Sequence, residues 1–189
     1  MKSTAVAVSV FVAASAGATR QSEPCAAFAP SAPILEVGTF SDMRYTKEHA
    51  YGHTVSLWRS GDCLFGIFAW SGGLAGDTSI GELQAVRHDS GTGALAFSAR
   101  LTIGVFKLPG AAVDQPTHDV FTFGGRLEAT RLAGDLIHVN QADPASAAVR
   151  TTIVLRAAPR DAPGLPGPAT YAAWRDKWRP ILMSRGPKW

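Results

Sequence analysis

The chain has 189 residues, of which 46% are hydrophobic and 17% charged, and its formal net charge is +3. This apolar content is ordinary for a globular protein and excludes wholesale disorder. The few excess basic residues are spread along the chain rather than concentrated in one stripe, which excludes the usual electrostatic footprint of a nucleic-acid-binding protein. We therefore expect no nucleic-acid partner.

Residues 1–18 have the layout of a secretory signal peptide. Lys2 precedes an apolar run over residues 4–14, and Ala16-Gly17-Ala18 is a small-residue cleavage signal. The apolar run is too short for a membrane span. We expect cleavage before Thr19 and a secreted or periplasmic protein, whose mature chain carries 17 basic and 15 acidic residues.

The sequence contains two cysteines, Cys25 and Cys63. In an oxidising compartment two cysteines most simply pair, so we predict a disulfide that ties the N-terminal part of the mature chain to a core strand. The alternative is an acylated Cys25, as in a lipoprotein. The preceding Glu23 and Pro24 argue against it, because a lipoprotein signal has small apolar residues there.

Residues 34–158 consist of short apolar runs between Gly, Asp and Ser clusters, which is typical of an all-β domain. Residues 19–33 lack this pattern and are interpreted as a flexible lead-in. The clearest alternation places Leu95, Phe97 and Ala99 on one face of a strand. The eight predicted strands are 34–41, 53–59, 63–70, 79–88, 94–103, 119–128, 131–139 and 149–157.

Short turns between most of these segments require antiparallel neighbours, so the chain is predicted to form a meander. Eight meandering strands favour an up-and-down barrel, because closure removes exposed sheet edges. A two-sheet sandwich is the alternative architecture.

Strand 63–70 differs from the others because it is apolar on both faces, so its outer face needs a cover. We expect that cover to come from residues 169–189, which follow a Pro/Gly-rich linker at 159–168. Residues 169–179 are predicted to form a helix that Pro180 ends.

Tyr171, Trp174 and Trp178 fall on one stripe of this predicted helix. The first interpretation is that the stripe packs on the barrel and leaves the basic residues in water. The alternative is that the basic, aromatic tail contacts anionic membrane headgroups or an anionic partner.

A secreted eight-strand meander followed by one helix resembles the lipocalins and the wider calycin families. The resemblance covers roughly residues 34–180 and is one of architecture. Lipocalins carry Gly-x-Trp near the first strand, whereas this chain has Gly38-Thr39-Phe40, with Phe in place of Trp. The resemblance implies a cup for a small apolar ligand.

Four of the histidines are candidates for chemistry. His49 and His53 have a spacing that places two imidazoles on one face of a helix, but here they lead into a strand, and we predict no metal site. His118 and His138 can join them only through the fold.

Three functions are consistent with these observations. The first is a non-enzymatic binding protein that holds a small apolar ligand among Trp70, Phe97, Phe121 and Phe123, without a cofactor. The second is an exported protein-binding module or inhibitor that acts through its loops and tail. The third is a small enzyme with an acid/base pair in the cup, such as His138 with a carboxylate.

Overall fold

The computed structural model describes residues 28–74, 78–106, 115–140, 147–159 and 167–182. The predicted signal peptide and Cys25 lie outside the described residues. Export and the pairing of Cys25 with Cys63 therefore stay predictions.

The described residues form a β-sheet and one C-terminal helix. Their order along the chain is β1 (Leu35–Ser41), β2 (Arg44–Tyr45), β3 (His49–Ser60), β4 (Cys63–Leu74), β5 (Ser79–Asp89), β6 (Ala94–Phe106), β7 (Gln115–Leu127), β8 (Arg131–Asn140), β9 (Val149–Ala157) and α1 (Tyr171–Leu182).

Eight of the described strands form a closed antiparallel barrel. From β3 to β9 each strand pairs with the next, and β1 pairs with both β3 and β9. The short β2 pairs with β3 beyond the end of β1. The predicted meander barrel is thereby confirmed, and the sandwich alternative is wrong.

The barrel interior is an apolar core made by alternate residues of each strand. Because successive side chains of a strand point to opposite faces, one residue in two reaches this core. On β6 these are Leu95, Phe97, Ala99 and Leu101, each at most 3% exposed. The alternation predicted for this segment is confirmed.

A second apolar cluster lies outside the barrel wall, between β4 and α1. Phe65 and Ile67 project outward from β4, while Leu64 and Phe68 project inward. Trp174 is fully buried against this outer face, with its ring 4.9 Å from that of Phe65 and nearly perpendicular to it. The predicted docking of the helix is confirmed.

The aromatic stripe of α1 is buried unequally. Trp174 is fully buried, whereas Tyr171 and Trp178 are half-buried at the rim of the outer cluster. The stripe faces the barrel, so its rings are used in packing. The stripe faces the barrel as predicted, but the expected burial of at least two of its three rings is wrong, because only Trp174 is fully buried.

The helix differs from its prediction at both ends. It begins at Tyr171, where the Thr170 hydroxyl accepts a hydrogen bond from the Ala173 N–H at 3.3 Å and acts as a cap. It continues through Pro180 to Leu182, so the expectation that Pro180 ends it is wrong. Proline removes one backbone hydrogen bond, and in the last exposed turn this loss does not unwind the helix.

We expect Trp174→Ala to lower the free energy of unfolding by about 3–5 kcal/mol, because it empties a fully buried aromatic site. Urea denaturation followed by circular dichroism measures the change. Lys177→Ala, at an exposed position of the same helix, is the matched control and should change stability little. An equally small change in the free energy of unfolding for both substitutions would show that α1 does not stabilise the barrel.

Candidate binding site at the polar end of the barrel

Several polar side chains enter the barrel interior together at one end of the described core. At this end β4 and β8 finish and β3 and β7 start, and we call it the polar end. Its inward-facing residues include His53, Trp70, Asp119 and His138. The opposite end is joined by the short β3–β4, β5–β6 and β7–β8 hairpins and contains the apolar core.

The β7–β8 ladder brings His138 beside Phe121 and close to Asp119. Phe121 and His138 are register partners, and their rings stack with centroids 4.4 Å apart and planes within 6°. The Nε2 atom of His138 lies 3.0 Å from the Oδ1 atom of Asp119. The Asp119 side chain is 7% exposed and that of His138 is 30% exposed, and the two facing atoms themselves, Oδ1 and Nε2, are buried.

The contact between Asp119 and His138 is close but poorly aligned. Although the two atoms are within ion-pair distance, neither Asp119 Oδ1 nor His138 Nε2 has a hydrogen-bond partner with acceptable geometry in the described part of the chain. A buried carboxylate oxygen without a donor is destabilising. A hydrogen-bond donor aligned with Asp119 Oδ1 would remove this cost.

Trp70 packs beside Phe121 and His138 and is only partly buried. Its ring centroid is 5.7 Å from that of Phe121 and 5.7 Å from that of His138. Three aromatic surfaces thus meet beside one carboxylate, an arrangement that suits an apolar ligand with a polar group.

Deeper in the barrel the aromatic residues pack on one another. Phe68 contacts Phe121 at 4.9 Å, and Phe97 stacks on Phe123 at 5.0 Å. Phe68, Phe97 and Phe123 are at most 3% exposed. They form a closed floor below Trp70 and His138.

A second histidine–carboxylate pair joins β1 to β3 at the polar end. The His53 backbone N–H donates to Asp42 Oδ1 at 2.6 Å, and its Nδ1 lies 3.3 Å from Asp42 Oδ2. Gly52 has a φ of +125°, and a Cβ there would lie 2.7 Å from Asp42 Oδ1. Glycine is required because the carboxylate approaches the backbone so closely.

Burial acts to raise the pKa of Asp42, but hydrogen bonds from the side chain and backbone of His53 outweigh it and hold the pKa below its ordinary value. His53 is also the register partner of Trp70 on the next strand. Trp70 therefore lies between the two histidine–carboxylate pairs.

The four aromatic residues selected from the sequence all face the interior. The structure brings Trp70 and Phe121 to the polar end and leaves Phe97 and Phe123 in the floor; their role in ligand binding stays a prediction. It also joins His138 to Asp119, which sequence reasoning left open.

The remaining histidines stay apart from this pair. His49 stacks on Tyr51 within β3, and His118 faces away from Asp119 because the two are consecutive on a strand. Among the described residues, no group of three or more potential ligands could hold a metal ion.

Sequence reasoning missed Asp42 as the partner of His53. The available signal was the alternation of β3, in which His53 precedes the inward-facing Val55 and Leu57 by two and four residues. This pattern places the imidazole inside the barrel, where it needs a polar partner.

No family model, no curated protein and no solved structure matches the chain. The barrel is compatible with a calycin-like architecture, and this likeness rests on the strand arrangement alone. The described helix is not long and apolar enough to cross a membrane.

The lowered pKa of Asp42 predicts a contribution to stability that depends on pH. A carboxyl group with a lower pKa in the folded state stabilises the protein above its unfolded pKa of about 3.9, and this stabilisation is lost as the pH falls through the folded pKa. Asp42→Asn should therefore flatten the decline in unfolding free energy on acidification below about pH 5.

Urea titrations between about pH 3 and pH 7 measure this decline. Asp62→Asn, at an exposed turn between β3 and β4, is the matched control and should retain the wild-type profile. A wild-type profile in Asp42→Asn would contradict the proposed stabilising pair.

Proposed function

We propose that the chain is an exported, non-enzymatic binding protein that holds a small, mainly apolar ligand at the polar end of its barrel. The ligand lies against the accessible ring of Trp70. A hydrogen-bond donor on the ligand reaches the Asp119–His138 pair. The floor of Phe68, Phe97 and Phe123 limits how deeply the ligand enters.

One observation carries this proposal: the buried Asp119 Oδ1 has no aligned donor in the described part of the chain, beside two partly exposed rings. A buried polar atom without a partner calls for an explanation, and a ligand that donates a hydrogen bond supplies one. Concave apolar surface with a few convergent polar groups is the usual composition of a small-molecule site.

The alternative function is acid–base catalysis, which the 3.0 Å separation of His138 Nε2 and Asp119 Oδ1 favours. In such a site the carboxylate orients the imidazole and stabilises its protonated form, while the imidazole transfers a proton at the substrate. The His138 side chain is 30% exposed although its Nε2 is buried, so a substrate would meet the rest of the ring.

The binding proposal is tested with N-phenyl-1-naphthylamine, a fluorescent apolar probe with one N–H donor. We expect saturable binding, with a loss of about tenfold or more in affinity for Trp70→Ala, because the accessible ring contributes the apolar contact. Asp119→Asn should weaken binding less, since an amide oxygen still accepts a hydrogen bond but carries no charge.

Trp178→Phe is the matched control, since it alters an aromatic residue on the outer surface and should leave binding unchanged. Retained binding in Trp70→Ala, or no saturable binding by the wild-type chain, would contradict the proposed site.

The catalytic alternative is tested with p-nitrophenyl acetate as a model ester. If His138 acts as a base, hydrolysis above the uncatalysed rate should fall by about 100-fold or more in His138→Gln. His49→Gln, at a histidine remote from Asp119, is the control. Equal rates of ester hydrolysis in His138→Gln and His49→Gln would contradict the catalytic alternative.

A further inference from the structure

The two carboxylates of the polar end have imidazoles as their ion-pair partners. Asp42 Oδ1 lies 3.3 Å from His53 Nδ1, and Asp119 Oδ1 lies 3.0 Å from His138 Nε2. No lysine or arginine in the described part of the chain forms an ion pair with either carboxylate. A lysine or an arginine carries a full positive charge at neutral pH, whereas an imidazole carries one only in its protonated form. The two carboxylates therefore lack a permanent cation among the described residues.

The rim formed by β2 and the start of β3 carries three charged side chains. Arg44, Lys47 and Glu48 are all exposed, and the last two are adjacent and opposite in charge. Arg44 is the register partner of Tyr51 and so lies on the same face of the sheet. Water and salt screen such exposed charges, whereas the Asp119 side chain is only 7% exposed. The rim therefore does not supply the cation that the buried carboxylate lacks.

The arginines of β6 and β9 point away from the barrel interior. On β9, Arg150 and Arg156 lie an odd number of positions from Leu155, which is buried in the core. On β6, Arg100 is next to the inward-facing Leu101. Successive side chains of a strand point to opposite faces, so all three arginines face outward. None of them can compensate the charge of Asp119 from inside the barrel.

An aromatic wall leads from the rim toward these carboxylates. A Cβ at Gly72 would lie 2.6 Å from Trp70 Cζ2, so the Trp70 ring extends over Gly72 toward the rim. Gly72 is the register partner of Tyr51, whose side chain is 47% exposed. At its other side Trp70 packs beside His138, with ring centroids 5.7 Å apart. Aromatic rings of this kind attract a cation placed over their faces.

We propose that the ligand of the polar end is an organic cation, namely an aromatic or otherwise apolar amine in its protonated form. This inference rests on the function proposed above and names the class of ligand. The apolar body lies against Trp70 and Tyr51, and the ammonium group lies on the side of Asp119. Because charges act over several ångströms where water is scarce, direct contact with the buried Oδ1 is not required.

Uncharged and anionic ligands fit this end of the barrel less well. An uncharged ligand with a hydrogen-bond donor leaves the charges of Asp42 and Asp119 without a permanent cation, and an uncompensated buried charge is unfavourable. An anionic ligand adds a further negative charge beside them. The charges of the described residues therefore favour an amine over an alcohol, and an alcohol over a carboxylate.

The test uses three naphthalenes that differ only in the group on one methylene carbon. They are 1-naphthylmethylamine, which is protonated at pH 7, 1-naphthalenemethanol and 1-naphthylacetate. Isothermal titration calorimetry with the purified chain at pH 7 and low ionic strength gives the three dissociation constants. We expect the amine to bind about tenfold or more tightly than the alcohol, and the carboxylate to bind most weakly.

Asp119→Asn retains the size and one oxygen acceptor of the side chain but removes its negative charge. We expect it to weaken binding of the amine by about fivefold or more and to change binding of the alcohol by less than about twofold. Asp42→Asn, at a partly exposed position, should also weaken binding of the amine selectively, and this readout does not depend on a substitution in the buried site. Asp62→Asn, at the exposed turn between β3 and β4, is the matched control and should leave all three affinities unchanged.

Three results would overturn the inference. Equal affinities of the amine and the alcohol would refute the choice of a cation and leave the proposed apolar site standing. An undiminished preference for the amine in both Asp119→Asn and Asp42→Asn would show that these carboxylates do not select the ligand. Absence of saturable binding by all three naphthalenes would contradict the proposed function together with this inference.

Discussion

The two apolar faces of β4 are the constraint on which the rest of the structure depends. Leu64 and Phe68 fill the barrel, while Phe65 and Ile67 lie on its outer wall. A strand that is apolar on both sides is stable in water only when both sides are covered. The barrel covers the inner face, and α1 covers the outer face with Trp174. The helix is therefore part of the fold, although it lies far from β4 in the sequence.

The polar end differs from the rest of the barrel, because its interior contains polar groups whose burial in an apolar core is unfavourable. Asp119 is nearly buried, and its contact with His138 is close without being well aligned. Such an arrangement lowers stability and is retained when the group serves another purpose. The stable part of the barrel and the candidate site are separated along the barrel axis, so changes in Trp70 or His138 leave most of the core intact.

The sequence predicted the architecture well because the evidence for it is local. Alternation in residues such as Leu95 and Phe97, and short turns such as that at Gly61, determine strands and antiparallel pairing without knowledge of distant contacts. The extent of β7 and of α1 was less predictable, since a strand end and a late proline depend on tertiary context.

The candidate site was only partly predictable for a different reason. Trp70 and Phe121 were identified as inward-facing aromatics, but the pairing of His138 with Asp119 depends on the β7–β8 register and on how far each strand extends. Asp42 and His53 come together through a bend after β1 that no pattern in the sequence indicates. Local sequence determines which face a residue occupies, whereas contacts between strands require the register.

The same bend explains why the barrel is joined so briefly between β1 and β9. The inward-facing Phe40 is buried in the core, and two residues later the Asp42 carboxylate, with its side chain 33% exposed, is held by His53 at the polar end. The Ser41 hydroxyl accepts a hydrogen bond from the Met43 N–H at 3.0 Å, which redirects the chain toward β2. The β1–β9 ladder ends at Ser41 because the backbone that would extend it is used in this turn. The polar interior and the short β1–β9 ladder thus have a common origin in the residues that follow Phe40.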